Sequence, residues 1–185
     1  GAIGQGADGP LVAALGGLGL SRRPAWAARA VDPGYCPLLE TLRQALPPAG
    51  ADAPRLTLAL AENKTVLRDG EAIRPRIVMP SFAAYLHIAY VAHDGTAQRL
   101  YPRAAEPAQG IAADAERRFA PSEWVNLGDP GPGERGWEAS EPFGADVIVA
   151  IASDRPLFGA EARPNAEPAS AYLQALRAAL AAARR

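Results

Sequence analysis

The stretch Ser81–Tyr101 reads SFAAYLHIAYVAHDGTAQRLY. Its residues alternate, so that Phe82, Ala84, Leu86, Ile88 and Tyr90 share one face of an extended strand while Tyr85, His87, Ala89, Val91 and His93 share the other. Asp94-Gly95 is a pair suited to the positive φ values of a tight type I′ turn. Thr96–Tyr101 should then return as the antiparallel partner. Both faces of this hairpin are partly apolar. It is therefore predicted to lie inside a sandwich or beneath a helix, because a strand with one face in water would carry a polar residue at every second position.

The same period of two recurs on either side. Arg55–Leu60 places Leu56, Leu58 and Leu60 on one face. After the Asp69-Gly70 turn, Ile73–Met79 reads as extended, with Pro75 suited to an edge or to the start of a strand. Residues 102–122 are polar and rich in Ala and Pro, with a short helix expected around Ala112–Phe119. Trp124–Leu127 and Trp137–Ser140 are short strand candidates separated by the Asp129–Gly136 loop. Ala145–Ala152 is a short, β-branched apolar run of the kind found in a central strand buried on both faces, and Pro156 ends it.

The clearest helical spacing lies at the flanks. Pro37 suits a first helical position, and Leu38, Leu39, Leu42 and Leu46 follow at helical intervals until Pro47-Pro48. From Pro168, Tyr172, Leu173, Leu176 and Leu180 form one stripe, with Arg177, Arg184 and Arg185 towards the end where cations complement the helix dipole. Seven or eight short strands with a helix at each flank predict a mainly β chain: an antiparallel β-sandwich, Ig-like, with a short helix before it and an amphipathic helix after it. The expected division is a Gly/Ala-rich arm or linker over residues 1–30 and the sandwich with its C-terminal helix over 31–185. The chain is expected to be part of a longer polypeptide.

Composition narrows the function. The 185 residues carry 19 basic against 20 acidic side chains and one Cys. Near-zero net charge argues against a non-specific nucleic-acid binder, and one Cys excludes both an internal disulfide framework and a Cys-based zinc site. No run approaches the roughly 18 apolar residues of a membrane-spanning helix.

Few residues carry a chemical motif. Gly4, Gly6 and Gly9 have dinucleotide-fingerprint spacing, but only three residues precede Gly4, which leaves no room for the strand that the fingerprint needs. Cys36 at a helix start would have a stabilised thiolate, yet it equally suits a half-buried small hydrophobe. His87 and His93, six residues apart on one strand face, lie about 20 Å apart at roughly 3.3 Å per residue and cannot share a metal. His87 reads as a hydrogen-bonded core or interface residue and His93 as a solvated turn neighbour. Asp94, Glu141, Asp146 and Asp154 flank strands and turns, and Ser153 lies outside any nucleophile elbow. No catalytic residue, cofactor or metal site is expected. Tyr85 and Tyr90 fall on a strand as core candidates, and the residues best placed for a partner-binding platform are Tyr101, Trp124 and Trp137 with Arg99 and Arg103, against the competing reading that the aromatics are core.

Four blocks from Tyr35 onward carry a resemblance: Tyr35-Cys36-Pro37-Leu38-Leu39; Phe82–Leu86 through Asp94-Gly95 to Leu100-Tyr101-Pro102; Trp137 with Pro142-Phe143-Gly144; and Ile148–Ser153 with Arg155-Pro156-Leu157-Phe158. The closing Pro164, Glu167 and Tyr172-Leu173 add to it. In these the chain resembles a bacterial family of domains of unknown function found C-terminal to serine/threonine protein kinases and caspase-like peptidases. It departs where Pro121 is followed by Ser122 and Glu123 instead of Gly, and it carries no kinase or peptidase signature. The resemblance implies a non-enzymatic accessory module with no catalytic residues, placed outside the cytoplasm. The partner expected is a protein, or a sensor or effector domain of the same polypeptide, held by loops 102–122 and 129–136 on a stiff scaffold. The alternative is a carbohydrate- or envelope-polymer-binding domain, and the third reading is a hydrolase with an unrecognised site.

Overall fold

A computed structural model describes residues 32–46, 55–109, 112–129, 136–158 and 163–183. The expected arm over 1–30, the Pro47-Pro48 stop, most of the Asp129–Gly136 loop, and Arg184 and Arg185 lie outside them. The chain is mainly β, with strands β1 (Thr57–Leu60), β2 (Pro75–Val78), β3 (Ala84–Val91), β4 (Thr96–Tyr101), β5 (Arg118–Phe119), β6 (Trp124–Asn126), β7 (Val147–Ser153) and β8 (Ala166–Pro168). Helix α1 (Cys36–Arg43) precedes them and α2 (Ala169–Ala183) follows.

The strands form two antiparallel sheets. One has three strands in the order β1-β2-β6. The other is built around β3, which pairs with β7 from Tyr85 to Val91 along one edge. Its other edge is shared by β5, opposite Ala84 and Tyr85, and by β4 from Ile88 onward, and β4 in turn carries β8.

The alternation in β3 explains the layering. Ala84, Leu86 and Ile88 meet Ile77 of β2, Val125 of β6 and Phe119 in a core between the sheets. Ala89 and Val91 face the opposite way, onto Leu38 of α1 and Tyr172, Leu176 and Leu180 of α2. The hairpin is thus inside a sandwich-like pair of sheets and beneath helices at once. Arg177 of α2 donates from Nε to Thr41 Oγ1 at 3.0 Å, tying the two helices together.

Several local expectations are corrected. The β3–β4 connection is not a two-residue type I′ turn. Gly95 has φ 88°, but Asp94 has no positive φ, and the bonds Gly95 N to Ala92 O (3.2 Å) and Ala92 N to Thr96 O (2.9 Å) close a three-residue loop over His93–Gly95. Ala112–Phe119 is not helical: Asp114 N donates to Arg103 O at 3.0 Å, and Arg118–Phe119 pair with β3, so its backbone bonds are made elsewhere. Helix α1 stops at Arg43, which leaves Leu46 outside it; Leu38 and Leu42 pack inward while Leu39 is exposed. Cys36 is exposed, not half-buried. The Ala145–Ala152 run forms β7, which has apolar layers on both faces but pairs only with β3 among the described residues.

Candidate functional site

A recess of about 800 Å³ opens where the β3–β4 loop meets the segments around Val66 and residues 136–146. Two features of the backbone assemble its polar corner. Val91 stands opposite Val147 in the β3–β7 register, which brings Asp146 beside the loop. The three-residue loop leaves the His93 N–H outside the ladder, where it donates to Asp146 Oδ1 at 2.8 Å. His93 Nδ1 lies 2.9 Å from the same oxygen. A carboxylate only accepts, so Nδ1 carries the proton, and Nε2 has no hydrogen-bond partner among the described residues. Tyr90 donates its hydroxyl to Asp146 Oδ2.

The contact shifts the titrations of Asp146 and Tyr90. Burial alone would raise the Asp146 carboxyl, but the Tyr90 hydroxyl and both His93 donors outweigh it and hold the carboxyl below its ordinary value. Burial first, then the bond to Asp146, raises the Tyr90 hydroxyl. Asp146 is thus an anion with both oxygens engaged, a clamp that fixes the loop.

Gly144 completes the corner. A Cβ there would sit 2.2 Å from His93 Nδ1, so the ring rests directly on the backbone. Gly144→Ala is expected to push the ring off Asp146 and destabilise the fold by roughly 1–3 kcal/mol, the usual range for overpacking. Thermal unfolding, with the His93 ring resonances as a second readout, checks this.

The remaining walls mix apolar and aromatic residues with Thr65, Gln98, Glu138, Ser140 and Glu141. Trp137 is half-buried, whereas Phe143 and Val66 are 52% and 76% exposed at the rim. The Trp137 carbonyl accepts from Ile73 N at 2.8 Å, which holds the expected Trp137–Ser140 strand as a bridge onto Ala72.

The sequence-derived platform residues are distributed over the molecule. Arg103 and Trp137 come together, with the guanidinium 5.8 Å from the ring centroid. Tyr101 is 7% exposed in the inter-sheet core. Arg99 lies towards the helices, beside His87, Arg163 and Tyr172. Trp124 is 70% exposed on the outer face of the three-stranded sheet, since its neighbour Val125 points into the core. His87 is buried against Phe158 and Tyr172. The Tyr90–Asp146–His93 contact was not expected from the sequence, where Asp146 read only as a residue flanking a strand.

Among the described residues no group of three or more His, Cys, Asp or Glu side chains is placed to hold a metal ion, and no helix is long and apolar enough to cross a membrane.

Two antiparallel sheets with a lateral cleft define a sandwich-like β module. Residues 66–156 match a family described as a domain of unknown function (DUF4384). The matched region, about half of the chain, runs from the cleft rim at Val66 through β7 and so contains the whole Tyr90–Asp146–His93 contact. No curated protein and no solved structure matches the chain.

Proposed function

We propose that the chain is a non-enzymatic recognition module of a larger bacterial signalling or peptidase protein, which holds a protein segment in the cleft beneath the β3–β4 loop. The observation that carries this reading is the cleft: its volume falls in the roughly 300–1,000 Å³ range of ligand sites, and it keeps Phe143 and Val66 exposed beside a rigidly clamped polar corner. Apolar side chains grouped at a concave surface, unlike ones scattered singly, mark a binding groove.

The loop over 102–122, expected to make the contact, is instead tied down at Arg103 and Asp114 (N to Oδ2, 2.7 Å) and at Asn165, whose Oδ1 accepts from Ala104 N at 2.7 Å. That favours the cleft over this loop as the contact. Asp146 serves here as a positioning group, and His93 as part of the wall. The expected result is no turnover of generic ester, peptide, phosphate or glycoside substrates. A robust activity abolished by His93→Ala or Asp146→Asn would overturn the proposal.

The exposed Trp124 favours a second reading, a polysaccharide- or envelope-polymer-binding surface on the outer face of the small sheet. Retention on peptidoglycan that is lost in Trp124→Ala would support it.

A further inference from the structure

The cleft differs electrostatically from the rest of the surface. Many acidic side chains have basic partners: Arg117 pairs with Glu123 and Arg163 with Glu167 away from the cleft, and Lys64 with Glu71 and Arg74 with Asp129 beside its edge. The chain as a whole is nearly balanced, with a formal net charge of −1. Around the cleft, Asp94, Glu138, Glu141 and Asp146 contribute carboxylates, whereas no Lys or Arg is among its described lining residues. Asp94 is engaged by Thr96 N and Oγ1, and Asp146 by Tyr90 and His93. Glu138 and Glu141 have no ion-pair partner among the described residues and lie on the same 136–146 wall as the exposed Phe143.

An apolar floor with an unmatched anionic rim selects against anionic ligands and favours a cation that also carries apolar surface. Complementary charge steers encounter and penalises like-charged partners more than it adds raw affinity. Resting on the recognition reading above, we propose that the cleft binds a basic peptide segment, one in which Arg or Lys side chains flank an apolar anchor. The anchor lies against Phe143 and Trp137, and the cations meet Glu138 and Glu141. Long basic side chains suit this geometry because their methylene stems cover apolar surface while their charged ends reach the rim.

The test is a fluorescence-anisotropy titration of the whole chain with three labelled peptides of equal length: alternating Arg-Leu, alternating Gln-Leu and alternating Glu-Leu. The Arg-Leu peptide should bind at least tenfold more tightly than the Glu-Leu peptide and weaken as salt is raised. Glu138→Gln with Glu141→Gln should reduce its affinity at least fivefold with unchanged thermal unfolding. Phe143→Ala should weaken all peptides that bind. If the Gln-Leu peptide binds as tightly as Arg-Leu and the double variant is silent while Phe143→Ala still weakens both, the assignment of a basic ligand is overturned and the cleft remains a recognition site. If no peptide binds, or binding is indifferent to Phe143→Ala, the recognition reading fails with it.

Discussion

Tyr101→Ala should lower the stability of the fold by about 3–5 kcal/mol, the cost of removing a buried aromatic ring. For a domain of this size that is a fall in Tm of roughly 6–20 °C. The reason lies in a β-bulge. Pairing between β3 and β4 runs Ile88 with Tyr101 and then Ala89 with Arg99, leaving Leu100 unpaired as an extra residue. Ala97 faces the helices, and simple alternation would turn Tyr101 the same way. The bulge instead directs Leu100 and Tyr101 together into the core between the sheets. There the Tyr101 ring meets Phe119 edge-on at 5.7 Å, and its hydroxyl donates to Ala115 O at 3.1 Å. Tyr101→Phe keeps the ring and loses only that bond, so it should cost about 1 kcal/mol. Differential scanning calorimetry of the two variants reads the contrast. A Tyr101→Ala protein that melts within about a degree of the parent would mean that the ring stands on the surface as part of a binding platform.

The bulge shows where reading by period stops. Alternation correctly assigned Leu86 and Ile88 to one core and Ala89 and Val91 to the other, because β3 pairs with β7 without interruption and its own period is never broken. The stripe Tyr172, Leu176 and Leu180 was equally legible, since a helix docking on a sheet must bury one face. Ala112–Phe119 carries alanines that satisfy helical propensity, whereas its backbone bonds are decided by partners far away in sequence. The polar corner failed for a related reason. Tyr90 and His93 lie 56 and 53 positions from Asp146. Their meeting depends on a strand register and on one residue of loop length, neither of which leaves a local pattern. Asp94-Gly95 signalled a hairpin correctly, but the same pair serves both the two-residue and the three-residue connection. Only the longer one frees the His93 N–H for Asp146.

Acidification should destabilise this protein well before its carboxylates begin to protonate, and His87 is the cause. The ring is 4% exposed, edge-on to Phe158 at 4.8 Å, with Nε2 at 3.3 Å from the Tyr172 hydroxyl. The groups around it come from three directions: Arg99 from β4, Arg163 and Glu167 from the segment leading into α2, and Tyr172 from α2 itself. Burial, reinforced by the Arg99 and Arg163 charges, pushes the His87 pKa down to about 3. An unfolded His titrates near 6.5. Between these values the unfolded chain takes up a proton that the folded chain refuses, so the contribution of His87 is complete above about pH 6.5 and is lost as the pH falls towards 3. The slope approaches 1.4 kcal/mol per pH unit, which amounts to roughly 2–3 kcal/mol by pH 4.5. Asp146 does not confuse this window. Its lowered carboxyl, like those of Asp94, Glu71 and Glu123, removes stability only as the pH falls through the ordinary carboxylate range, from about 4.5 downwards. Denaturant unfolding at intervals from pH 7 to 4.5 should therefore show a falling stability in the parent. His87→Phe should start about 1 kcal/mol lower at pH 7, having lost the Tyr172 bond, and stay nearly level, so that the two curves cross. Parallel curves for the parent and His87→Phe would show that the ring is hydrated in the folded state and that α2 does not seal the sheet over it.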